Sequence, residues 1–160
     1  MAYTVIRTDL LSGTDVGADL VSLRVLKSEE PVEVENGTIV ELEKLEKDNR
    51  EVWQAKVATA ESDVSKCAIV ASVETMYDER KKNLDEFINE KGAVCRGYIP
   101  RSRNIYSVTK EGFVGGTAPA VDGKVGIGEG GKLDTGSTGW GTCIAIEVAG
   151  RYTYYVIQLA

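Results

Sequence analysis

The stretch Cys143-Ile144-Ala145-Ile146-Glu147-Val148-Ala149-Gly150-Arg151-Tyr152-Thr153-Tyr154-Tyr155-Val156-Ile157-Gln158-Leu159 decides the fold class. β-Branched and aromatic residues fill both halves, and Ala149-Gly150 interrupts them, so the stretch reads as an antiparallel hairpin. Alternation puts Ile144, Ile146 and Val148 inward on its first strand, with Tyr152, Tyr154 and Val156 answering on the second.

Working upstream, residues 93–99 and 104–109 read as further strands, with a weaker one near 125–127. Residues 66–74 place Cys67, Ile69, Ala71 and Val73 on one side. Ala68 and Val70 make the other side apolar too, which predicts a central strand buried on both faces. Residues 52–59 put Trp53, Ala55 and Val57 on one face. Before them, Val32 and Val34 alternate with Glu33 and Glu35. Asn36-Gly37 then supplies a strong hairpin signal, and residues 38–45 return with Val40 and Leu42 on one face.

One helix is predicted, over residues 78–91 or a shorter span of 84–90. Asp78 suits an N-cap, Leu84, Phe87 and Ile88 have i, i+3, i+4 spacing, and Gly92 suits the stop. The expected fold is therefore mainly β (α+β), a small antiparallel β-barrel or sandwich with one short helix and an extended N-terminal arm. The main domain is residues 31–160. Its glycine-dense stretch at about 112–141 reads as a long loop and a candidate contact surface.

Residues 1–30 hold neither helical nor strand periodicity for long. They read either as a packed edge or as an arm that orders on a partner. In the arm reading, the apolar pairs Val5, Ile6 and Leu10, Leu11 make their contacts on a neighbouring subunit or surface, and these four are the candidate partner-binding residues.

The 160 residues are 42% hydrophobic and 28% charged, the balance of a folded domain rather than a disordered chain. A net charge of −6 repels phosphate. Arg96, Arg101 and Arg103 around Pro100 are the densest basic group, and they read as a solvated edge, so no nucleic-acid partner is expected. Charge at Arg7 and Asp9 precedes any apolar stretch long enough for a signal peptide, and no window approaches a membrane span of about 20 apolar residues. Cys67, Cys95 and Cys143, odd in number and flanked by apolar or small residues, read as buried free thiols of a protein made in a reducing cytoplasm.

The chain has no histidine, which excludes Ser-His-Asp and Cys-His nucleophile systems and imidazole metal sites. Gly126-Ile127-Gly128-Glu129-Gly130-Gly131 spells the dinucleotide fingerprint. The residues that follow cannot open the helix on which phosphate binding depends. Asp134-Thr135-Gly136-Ser137 spells the aspartic-protease tetrapeptide, for which a small hydrolase using Asp134 is the remote alternative. Turn chemistry is the expected role of that tetrapeptide. The acidic clusters lack calcium-loop spacing. No catalytic, cofactor-binding or metal-binding residue is expected, and the chain is expected not to be an enzyme.

Glu74-Thr75-Met76-Tyr77-Asp78-Glu79-Arg80-Lys81-Lys82-Asn83-Leu84-Asp85-Glu86-Phe87-Ile88-Asn89 resembles a segment of small proteins from tailed bacteriophages and prophages of Gram-positive bacteria, encoded near the major capsid protein. Glu35-Asn36-Gly37-Thr38-Ile39-Val40-Glu41-Leu42 and Gly150-Arg151-Tyr152-Thr153-Tyr154-Tyr155-Val156-Ile157 are similar to the same group. In outline the resemblance spans residues 31–160. It implies a capsid decoration (auxiliary head) protein, on the outer surface of the virion capsid and made in the bacterial host cytoplasm. Its implied partner is the major capsid protein, with self-association, for instance as a trimer, as a further option. The alternative is another head or tail component, such as a connector or fibre-attachment module. No cofactor and no catalytic residue come with the resemblance.

Overall fold

A strand buried on both faces needs apolar cover from two sides, and that requirement organises the whole molecule. The computed structural model describes residues 2–7, 19–78, 80, 81 and 83–160. Its strands are β1 (Leu20–Lys27), β2 (Glu30–Pro31), β3 (Ile39–Leu45), β4 (Val52–Val57), β5 (Cys67–Val70), β6 (Cys95–Tyr98), β7 (Ile105–Thr109), β8 (Lys124–Ile127), β9 (Leu133–Asp134), β10 (Gly141–Ala149) and β11 (Tyr152–Leu159). The fold is mainly β, a closed five-strand barrel with a second sheet beside it.

In the barrel β1, β4, β3, β5 and β6 follow one another, and β6 pairs back onto β1 from Leu20↔Tyr98 to Leu23↔Cys95. β1 and β4 run parallel, while the other barrel pairings are antiparallel. The two-residue β2 pairs along β1 at Leu26↔Pro31 and Lys27↔Glu30. The second sheet runs β7-β11-β10-β8-β9, antiparallel throughout.

β5 separates two cores. All four of its residues are buried. Ala68 and Val70 point into the barrel with Leu23, Val25, Val40, Ala55 and Cys95. Cys67 and Ile69 point the other way, into a layer shared with Tyr106, Phe113, Trp140 and Ile157 of the second sheet. β3 makes the same division, Ile39 facing the shared layer and Val40 the barrel interior. The expected central strand is thus the wall between the barrel and the sheet. Each Val or Ile buried there contributes about 1.5–3 kcal/mol of transfer free energy.

Several expectations are corrected. The described residues of 78–91 form no long helix, and a 3-10 turn at Leu84–Glu86 stands there. Its apolar stripe is too short to hold a helix by packing. Asn89 instead exchanges backbone hydrogen bonds with Val34, N to O at 3.0 Å and back at 3.1 Å. Asn36-Gly37 turns the chain but joins no hairpin, since β3 pairs with β4 and β5. Asn36 is buried: its Nδ2 donates to the Ser72 carbonyl at 2.9 Å, and its Oδ1 accepts from Ser72 N and Asn89 Nδ2, both at 3.0 Å. Gly37, at φ +85°, donates its N–H to the Val70 carbonyl at 2.7 Å. The glycine-dense stretch is an ordered part of the core rather than a plain loop, since it holds β8 and β9 and buries Phe113, Val125, Ile127, Leu133 and Trp140.

Among the described residues of 1–30, the chain is packed. Ile6 bridges Val108, Arg7 N donates to the Ser107 carbonyl, and Thr109 N donates to the Val5 carbonyl, each bond at 3.0 Å. Residues 5–7 thus lie along the edge of β7, and β1 is a barrel strand bonded on both sides.

Candidate functional site

The chain leaves β5 through Ala71, whose N–H donates to the Arg96 carbonyl at 2.9 Å, and Ser72, whose hydroxyl accepts from Arg96 N at 3.1 Å. Between Ser72 and Leu84 the described residues form no regular element. Residues 72–78 and 86–90 lie against one another at the surface and line an open groove of about 480 Å³. Val73, Met76, Tyr77, Phe87, Ile88 and Val94 supply its apolar lining, with Asp78, Lys81, Glu86 and Glu90 around them. Phe87 is buried and anchors the floor, whereas Val73 is 61% and Tyr77 93% exposed.

Both ends of this run are tied to buried amides. Asn36 holds Ser72, and Asn89 reaches the Val34 carbonyl and Asn36 Oδ1, each at 3.0 Å. Between those anchors Asp78 accepts from Arg80 N at 3.1 Å and pairs with its guanidinium at 2.8 Å, and these bonds hold the Asp78 carboxyl below its ordinary range. The result is a presented surface: fixed at its base, aromatic at its tip, with mixed charge at its rim.

A second exposed apolar surface lies on β10. Ile144, Ile146 and Val148, expected inward, are 38%, 44% and 78% exposed. A β-bulge between Cys143 and Ala145 breaks the alternation, and the buried residue before it is Cys143. Past the bulge the hairpin extends beyond the shared layer.

Val5 and Ile6 are each 2% exposed, inside this chain's own structure, so a neighbour reaches them only if residues 5–7 first leave β7. Leu10 and Leu11 lie outside the described residues. Asp134 sits in β9, and its Oδ1 accepts from Gly136 N at 3.0 Å, an Asx turn closed by its own tetrapeptide. The glycine fingerprint serves packing. Gly131, at φ +67°, lies against the Ile39 carbonyl, and a Cβ on Gly128 would meet Val114 and Asp134 at 2.7 Å. The three cysteines are free and buried, and burial pushes Cys67 and Cys95 up to about 11.

Among the described residues no group of three His, Cys, Asp or Glu is arranged to hold a metal ion. No described helix is long and apolar enough to cross a membrane. What the arrangement offers is contact area. Sequence pattern missed both exposed surfaces; the mixed polar setting of Tyr77, between Met76 and Asp78, was the one signal that its ring stands in solvent. No protein-family model, curated protein or solved structure matches the chain.

Proposed function

We propose that this chain is a non-enzymatic structural protein that binds the outer surface of a phage capsid, through the major capsid protein, and stabilises the head. The observation that carries the reading is where the distinctive stretch lies. Among the described residues of 74–89, only Phe87 and Asn89 are buried, and the others lie at the surface. Internal bonds account for Asp85, which holds Arg151 and Tyr152, but not for the exposed Tyr77, for which a contact is the better reason. An exposed tyrosine at an apolar groove is the kind of residue that dominates binding energy at interfaces. The net charge of −6 suits a position outside the shell, away from packaged DNA.

The test is fractionation of virions followed by binding to purified shells. The protein should co-sediment with mature heads at near-stoichiometric copy number and be absent from isolated tails. Tyr77→Ala combined with Val73→Glu should weaken binding at least about tenfold, the loss of one good anchor, with an unchanged melting curve. Recovery only with tails would assign it to another head or tail component.

A further inference from the structure

Asn36-Gly37 turns the chain without joining a hairpin, and it is the chain's one Asn-Gly pair. The fold requires both residues. Gly37 stands at φ +85°, and a Cβ there would meet Thr4 Cγ2 at 2.8 Å. The Asn36 amide ties together residues 72–78 and 86–90, bonding Ser72 on one side and Asn89 on the other. Its Nδ2 also donates to Glu74 Oε1 at 3.3 Å.

Asn-Gly is at the same time the asparagine dipeptide that water attacks most readily. Glycine carries no Cβ to shield its nitrogen, so that nitrogen can close on the side-chain carbonyl before it. Gly37 N would lose its proton to hydroxide and bond to Asn36 Cγ, and the Cγ–Nδ2 bond would break to release ammonia. One water then opens the resulting succinimide at either carbonyl, leaving aspartate or isoaspartate.

The folded protein withholds each condition for that step. Gly37 N–H is committed to the Val70 carbonyl at 2.7 Å. Asn36 is 2% exposed, so base and water are kept from Cγ. Asn36 Oδ1 accepts from Ser72 N and Asn89 Nδ2, and Nδ2 donates to the Ser72 carbonyl. Turning Cγ towards the Gly37 nitrogen breaks these bonds together, at a cost no buried group recovers from water.

We propose that Asn36 is a deamidation site that the folded state keeps shut, so that opening of this clasp marks the chain irreversibly. Neither product fits the space the amide leaves. In aspartate an acceptor oxygen replaces the Nδ2 donor, facing the Ser72 carbonyl and the Glu74 carboxylate. In isoaspartate the side-chain methylene enters the main chain and displaces Gly37 from its bond to Val70. Either change releases Ser72 and Asn89, the two ties at the base of the groove. A transient opening thus becomes a permanent loss of the groove.

The full chain alone tests this, so the outcome does not depend on the capsid reading. Native protein and protein unfolded in guanidinium are held at mildly alkaline pH and mapped by peptide mass spectrometry. In guanidinium Asn36 should convert at least about tenfold faster than Asn49, Asn83, Asn89 or Asn104, none of which precedes glycine. Gly37→Ala should remove that lead, in a state where folding plays no part. In buffer Asn36 should convert at least about a hundredfold more slowly than in guanidinium, because only the open fraction reacts. Converted chains gain a negative charge, so ion exchange separates them. After refolding they should melt at least about 4 °C below unconverted chains. Native conversion at the unfolded rate overturns the proposal, as does an unfolded chain in which Asn36 shows no lead. Converted chains that regain the unconverted melting curve overturn it too, since the clasp would then have accepted the mark.

Discussion

Trp140 Nε1 donates to Tyr106 Oη at 2.8 Å, a polar contact sealed in the layer between the barrel and the second sheet. Both side chains are almost completely buried, and desolvation drives the Tyr106 hydroxyl well above the ordinary tyrosine range. Neither group has water to fall back on. Tyr106→Phe should therefore cost about 1–3 kcal/mol, the penalty for a buried donor left without an acceptor. Urea titration should show a lower midpoint at unchanged slope.

Ile6 ties the N-terminal segment into the shared layer. Ile6→Ala should destabilise by about 2–5 kcal/mol, the range for an aliphatic truncated to alanine in a packed core. Thermal melting of the isolated protein checks this. An unchanged melting temperature would return Val5 and Ile6 to the arm reading.

The thiols set a pH limit. Cys67 and Cys95 are pushed up to about 11 by burial, and Cys143 is raised for the same reason. The unfolded chain ionises its thiols near 8.5, so above that pH the unfolded state binds fewer protons than the native one. Stability is then full below about pH 8.5 and falls as pH climbs towards 11. Denaturant midpoints between pH 7 and 10.5 should show the decline, and replacing the cysteines by alanine should flatten it. At pH 8 native thiols should resist a soluble disulfide reagent and react fully in guanidinium.

Asp134→Asn keeps an oxygen where Gly136 N–H needs one. Stability should change by no more than about 0.5 kcal/mol, and urea midpoints would register it. Pepstatin-sensitive cleavage of a peptide by the parent protein, abolished in this variant, would defeat the turn role.

The sequence told most where burial acts on neighbouring residues. Cys67-Ala68-Ile69-Val70 could only be a strand covered on both sides, and the alternation in residues 39–45, 52–57 and 152–159 gave those strands too. It told least where distant residues decide. Asn36-Gly37 carries a local hairpin signal, yet Ser72 and Asn89 capture the Asn36 amide from 36 and 53 positions away. Residues 5–7 show no periodicity because one edge, that of β7, defines their conformation. The inward sense of Ile144 failed at a one-residue bulge, which alternation does not encode. The groove has no signature in the sequence because an exposed tyrosine leaves no periodic trace.

The bond from Val5 N–H to Thr109 Oγ1 spans 104 positions. During synthesis, residues made early wait for a strand that emerges about a hundred residues later, and at about 5–20 residues per second that delay is about 5–20 seconds. Until β7 and β11 leave the ribosome, Val5 and Ile6 have no place to dock, and the finished barrel has one outer wall bare. The second sheet is thus the late step of biogenesis, and nascent chains stalled before residue 105 should be the ones that chaperones hold.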